Sequence, residues 1–181
     1  MAWIILGVLV VIVFLLIGMY NSLVQLRVRA DSAWSDIDVQ LKRRHDLIPN
    51  LVETVKGYAA HEQGTFENIA KFRSMAMQAT GPADKAAAEN QLTGALKSLF
   101  AVAENYPQLQ ASQEFTQLQN SLRETEDAIQ NSRRYYNAVV RDLNTKIQSF
   151  PTNILAGMFG FQQKQFFETT AVDREPVAVK F

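Results

Sequence analysis

The sequence predicts an all-α protein: an amino-terminal transmembrane helix followed by an up-and-down four-helix bundle with long helices. Three observations carry that reading. A run of nineteen uncharged, mostly apolar residues, AWIILGVLVVIVFLLIGMY, opens the chain from Ala2 to Tyr20. Beyond it, every third or fourth residue from Leu23 through Ile37, Leu41, Ile48, Leu51, Val55 and Ile69 to Ala76 keeps one mostly apolar phase, with Arg44 and Glu62 as its two charged members, the spacing of a helix that buries one stripe. Helix breakers are scarce as well, with five prolines and eight glycines in 181 residues. Three segments follow: an anchor over 1–20, a helical bundle over 21–150, and a Phe-rich carboxyl-terminal segment and tail over 151–181.

The anchor comes first. Nineteen residues at about 1.5 Å each give roughly 28 Å, which matches a bilayer core of about 30 Å. No basic residue precedes the run and Asn21-Ser22-Leu23 is a poor cleavage site, so an uncleaved span is expected and not a signal peptide. Ala2, Trp3, Ile12, Phe14 and Tyr20 mark that span, with the rings of Trp3 and Tyr20 at the two headgroup levels. Gly7 and Gly18 form no GxxxG pair. Arg27 and Arg29 follow the run closely, which predicts an amino terminus outside and a cytoplasmic bundle in the inner (plasma) membrane.

Leu23 to about Tyr58 reads as one helix. Pro49 lacks an N–H and predicts a bend, but the apolar phase continues past it, so no chain reversal is expected there. Gly57 and Gly64 bracket a weaker stretch, after which Thr65 could cap a helix to about Ala79. The alternative is one unbroken rod from Leu23 to Ala79, roughly 85 Å long. Thr80-Gly81-Pro82 is a turn. A helix from about Ala83 to Asn105 follows, with Leu92, Leu96, Leu99 and Val102 on one side. The last long helix, about Ser112 to Ser149, has Phe115, Leu118, Leu122, Ile129, Tyr136, Val140, Leu143 and Ile147 on its apolar stripe. Arg123, Glu124, Glu126, Arg133, Arg134 and Asp142 are expected on its solvated face.

The final fifth is unusual. No charge occurs from Thr152 to Gln163, and Phe150, Phe159, Phe161, Phe166, Phe167 and Phe181 crowd into it. The segment either caps the bundle, lies in the membrane interface or forms a subunit contact; as an interfacial tail it would act through Phe150, Phe159, Phe161, Phe166 and Phe167. TTAVDREPVAVKF at the end reads as loosely ordered.

Composition narrows the function. Equal numbers of basic and acidic residues, 18 each, give no field that would attract nucleic acid. The absence of cysteine excludes disulfides, thiolate catalysis and Cys-ligated zinc. His45 and His61, about 24 Å apart on one helix, cannot share a metal unless the helix folds back. Asp36 and Asp38 point to different faces, and no residue completes a nucleophile system. No enzyme activity, cofactor or small-molecule substrate is expected.

One cluster does stand out. Arg43, Arg44, His45, Asp46, Asn50 and Glu53 make the most polar part of the organising helix, and Arg44 falls where the phase asks for an apolar side chain. A buried arginine needs a carboxylate, such as one on the last long helix. The other reading is an assembly or partner-docking face.

The stretch YNSLVQLRVRADSAWSDIDVQLKRRHDLIPNLVETVKGYAAHE, together with SFPTNILAGMFGF, resembles the LemA family, and the likeness covers nearly the whole chain. The resemblance implies an amino-terminal membrane helix and an up-and-down four-helix bundle in bacterial envelopes. It also implies kinship with proteins of magnetosome membrane formation and with others that occur alongside membrane metalloproteases. No enzymatic activity is established for the family. Gly64 stands where a better helix former is typical, which favours a local break. The functional expectation is a membrane-anchored homo-oligomeric scaffold that organises or shapes the membrane; the alternative is an adaptor or regulator of a membrane-bound protease.

Overall fold

Six helices follow one another in the computed structural model, which describes residues 1–168: α1 (Ala2–Lys56), α2 (Gln63–Gln78), α3 (Pro82–Ala103), α4 (Pro107–Gln110), α5 (Gln113–Gln148) and α6 (Thr152–Met158). No strand occurs among the described residues. The apolar amino-terminal run and the first bundle segment are one uninterrupted helix, and α1 continues through Pro49. Residues 2–18 of that helix are exposed throughout, and the run is long and apolar enough to cross a membrane.

By its contacts the chain divides into two units. One holds Met1–Ile37 and Ser132–Phe166; the other holds Asp38–Asn131 with Phe167 and Glu168. α1 and α5 each contribute residues to both.

In the Asp38–Asn131 unit, α2 runs back along α1. Lys56 Nζ lies 5.6 Å from the centre of the Phe66 ring, and farther along Arg73 Nε donates to the His45 carbonyl at 2.8 Å. The Gly57–Gly64 interval therefore reverses the chain, and the single long rod does not form. Thr65 is not the cap: α2 starts earlier, with Glu62 at the N-cap position and no side-chain cap bond. Gly81, at φ 82°, takes the left-handed conformation that a glycine enters without a Cβ penalty, and Pro82 follows at the first turn of α3. The short α4, which the sequence reading did not include, starts at Pro107, where α3 can no longer continue. One apolar cluster fills this unit, with Ile48, Leu51 and Val55 from α1, Phe66 and Ile69 from α2, Leu92, Leu96 and Leu99 from α3, Leu109 from α4, and Phe115 and Leu122 from α5.

In the Met1–Ile37 unit, the early part of α1 lies antiparallel to the late part of α5. Lys146 Nζ donates to Ser22 Oγ at 2.7 Å, and the Trp34 and Tyr136 rings stand 5.5 Å apart. The pairing follows from the two stripes predicted for these helices, since Leu23, Ala30, Ala33 and Ile37 are buried, as are Tyr136, Val140 and Leu143. The expectation of loose order for the last residues falls on 169–181, outside the described residues.

Candidate functional site

The polar cluster on α1 separates into an inward and an outward set. Arg44 and His45 are buried, at 4% and 6% exposed. A buried guanidinium has five N–H donors to satisfy and no way to lose its charge, so its partners decide whether the helix can hold it. α3 supplies the first: Arg44 Nη1 donates to Glu89 Oε2 at 3.1 Å, and Glu89 is itself 4% exposed. Arg44 Nη2 donates to Thr93 Oγ1 at 2.7 Å, and that hydroxyl in turn donates to the Glu89 carbonyl. α5 supplies the second carboxylate, Glu126 Oε2, at 3.2 Å from Nη2.

His45 completes the network. Its Nε2 lies 2.7 Å from Glu89 Oε1. An ionised carboxylate only accepts, so that nitrogen carries the proton and donates. Glu89 is thus held at both oxygens by neighbouring residues of one helix turn. Arg73, donating to the carbonyl of His45, ties α2 to the same turn of α1. Three helices converge on α1 at one level through charge-assisted bonds.

Glu126 therefore differs from its expected place on the solvated face: it reaches inward to Arg44 and is about one-third exposed. The sequence reading missed Glu89 altogether. A signal existed, because Glu89 stands three residues before Leu92 and seven before Leu96, on the same apolar stripe of α3. A groove of about 510 Å³ opens beside Arg44, with Leu96, Phe100 and Leu122 as apolar wall and Lys97 and Arg123 among its polar lining.

The outward set is Arg43, Asp46, Asn50 and Glu53, all exposed. Their 3-4-3 spacing places them on one stripe of α1. Arg43 makes a long, solvated pair with Glu124 at 4.0 Å, and Glu53 pairs with Lys56 at 3.2 Å.

The predicted tail residues also divide. Phe161 and Phe167 are buried and Phe166 is half-buried, while Phe150 and Phe159 are exposed. Asn144 clamps the segment after α6, its Nδ2 donating to the Lys164 carbonyl and its Oδ1 accepting from the Lys164 amide, each at 2.9 Å. Tyr136 donates its hydroxyl to the Gln165 carbonyl at 2.9 Å. Burial of that phenol, with Asp31 nearby, raises its pKa above the usual tyrosine value. Of the residues expected to span the bilayer, Ala2, Trp3, Ile12 and Phe14 are exposed along α1, and Tyr20 ends the run with its ring against Phe159 and Phe161.

An all-helical protein whose first helix is long and apolar enough to cross a membrane is the class these features define. The model of the LemA family matches residues 33–181, and the chain belongs to that family. Among its relatives, Magnetosome protein MamQ 2 of Paramagnetospirillum magneticum is 28% identical, with 97% of this chain aligned to 75% of the relative. Protein LemA of Metamycoplasma hominis is 27% identical over 91% of this chain and 75% of its own. Magnetosome protein MamQ of Magnetospirillum gryphiswaldense is 26% identical over 93% and 72%.

Proposed function

We propose that this chain is a single-pass, membrane-anchored, non-catalytic scaffold, an up-and-down four-helix bundle that self-associates and thereby organises or shapes the membrane. The observation that carries the reading is the division of the α1 cluster. Arg44 and His45 are engaged inside the fold, while Arg43, Asp46, Asn50 and Glu53 form an exposed stripe of mixed sign on the helix that also carries the anchor. A stripe with both signs can meet a copy of itself, offset or reversed, without like-charge conflict. The names of the magnetosome relatives support a role in organising a membrane. Arg27 and Arg29 orient the bundle toward the cytoplasm.

The test is the composition of the complex extracted gently from native membranes, by mass photometry and peptide identification on one sample. A large assembly containing this chain alone, reduced to single copies by Arg43→Glu, which leaves the stripe with acidic charge only, is the expected result. A small complex holding a membrane protease sinks the scaffold and selects the adaptor.

A further inference from the structure

We propose that α6 and its flanking phenylalanines form an apolar foot seated in the bilayer interface, in the leaflet where the Tyr20 end of α1 emerges. The proposal rests on the membrane-anchored reading above and adds to it a second, non-spanning contact with the same bilayer.

Exposure picks out the residues. On α6, Thr152, Leu155 and Ala156 are buried, while Ile154 and Met158, four residues apart and so on one face, are 56% and 74% exposed. Phe150 before the helix and Phe159 after it are 80% and 56% exposed. Four large apolar side chains thus point outward within ten residues, on a segment that buries Leu155 and Ala156.

Register fixes the depth. The Phe159 ring stands 4.8 Å from that of Tyr20, the last residue of the apolar run, and the Phe161 ring 5.9 Å from it. Farther along α1, the Arg27 guanidinium lies 5.0 Å over the Phe161 ring. Farther still, Lys164 Nζ meets Asp31 at 2.7 Å. The segment therefore regains charge in step with α1. Where α1 is apolar the segment is apolar, and where α1 carries Arg27 and Asp31 the segment reaches Lys164. Two strands of sequence with one shared polarity gradient cross the same boundary between hydrocarbon and water.

The height is also fixed. The Asn144 clamp on Lys164 and the Tyr136 bond to Gln165 hold the segment against α5, so the foot does not hang on a free tether. Seven residues are too few to span a bilayer, so α6 can only lie at its surface, its Phe, Ile and Met side chains at the headgroup–acyl boundary.

The chain has no cysteine, which allows single nitroxide labels on the full-length protein in phosphatidylcholine–phosphatidylglycerol nanodiscs. Phe14→Cys serves as the hydrocarbon reference. Arg29→Cys, nine residues beyond Tyr20 and about 13 Å along the helix, is the aqueous reference. Ile154→Cys and Met158→Cys are the test positions. Collision with oxygen, which concentrates in lipid, is compared with collision with a water-soluble nickel chelate. The expected oxygen-to-nickel ratio at 154 and 158 exceeds that at 29 several-fold and approaches that at 14. Adding Met158→Glu should collapse the ratio at 154 without moving the thermal midpoint, because the side chain is exposed, while Met158→Leu should preserve it.

A ratio at 158 equal to that at 29, with 14 still lipid-like, overturns the foot and leaves the anchor standing. Shielding from both reagents at 154 and 158 also overturns it and assigns the face to a second copy. A nickel-accessible label at 14 removes the anchored reading itself.

Discussion

The two units lock their helices by opposite means. Around Arg44 the lock is ionic and buried: one guanidinium, two carboxylates and an imidazole draw α3 and α5 onto α1, with Arg73 adding α2. Around Asn144 the lock is neutral: a side-chain amide satisfies the amide and carbonyl of Lys164, and a phenol takes the next carbonyl. The two devices fail differently. Removing one member of a buried charged set leaves another charge without a partner, which costs far more than the bond itself. Removing a neutral clamp frees a segment whose backbone water can then satisfy. The Asp38–Asn131 unit is brittle at one point, and the segment held by Asn144 in the other can be peeled.

The largest effect is therefore expected at Glu89. Glu89→Ala strips both Arg44 Nη1 and His45 Nε2 of their acceptor and should destabilise by about 3–5 kcal/mol, the usual cost of breaking a buried pair from one side. Denaturant unfolding of the detergent-solubilised protein measures it. The sharper form is the double replacement Arg44→Met with Glu89→Gln. It removes the buried pair, leaves the partly exposed Glu126 to water and keeps an acceptor for His45, so it should recover most of that loss. A double variant as unstable as Glu89→Ala would mean that the site depends on its shape and not on charge balance.

The clamp ranks second. Asn144→Ala should cost about 1–3 kcal/mol, because it deletes two bonds from a buried side chain. The loss should be local. Hydrogen exchange is expected to accelerate at the Lys164 amide while amides around Arg44 keep their protection. Uniform acceleration through both regions would erase the distinction drawn between them.

Much of this was legible beforehand, and the residues say why. Arg44 stands out, because a charge in the 3-4 apolar phase needs either a buried carboxylate partner or a place at the bundle surface. Its partners were harder to see. Glu89 obeys the same logic on α3, but the flanking alanines weaken the stripe there, so the misfit does not stand out. Glu126 lies in the gap that the α5 stripe leaves between Leu122 and Ile129, and the buried Thr125 shows that the stripe does pass through that gap. The sequence leaves the reversal after Lys56 open, because two glycines mark a weak point without giving a direction. The sorting of the phenylalanines was not legible at all. Phe159 and Phe161 sit two residues apart in an uncharged run, and only tertiary contact with Tyr20 and Arg27 distinguishes them.

The smallest effect is the one that pH should isolate. Tyr136 stays protonated in the fold to higher pH than in the unfolded chain, first because the phenol is buried and second because Asp31 would repel the phenolate. A raised pKa means that the native state holds its proton where the unfolded chain, with a pKa near 10, has begun to release it. Stability from this group is complete below about pH 10 and is lost as pH climbs toward and through the folded value. Deprotonation would also turn the donor to the Gln165 carbonyl into a second acceptor facing an acceptor. Tyr136→Phe removes the hydroxyl, at a cost of about 1 kcal/mol at neutral pH from the lost bond. It also removes the alkaline dependence that this phenol contributes. Thermal midpoints of the two proteins should therefore converge as pH rises beyond about 10. Midpoints that stay parallel to pH 11 would mean that the phenol is not held in its buried, neutral form, and the clamp would reduce to Asn144 alone.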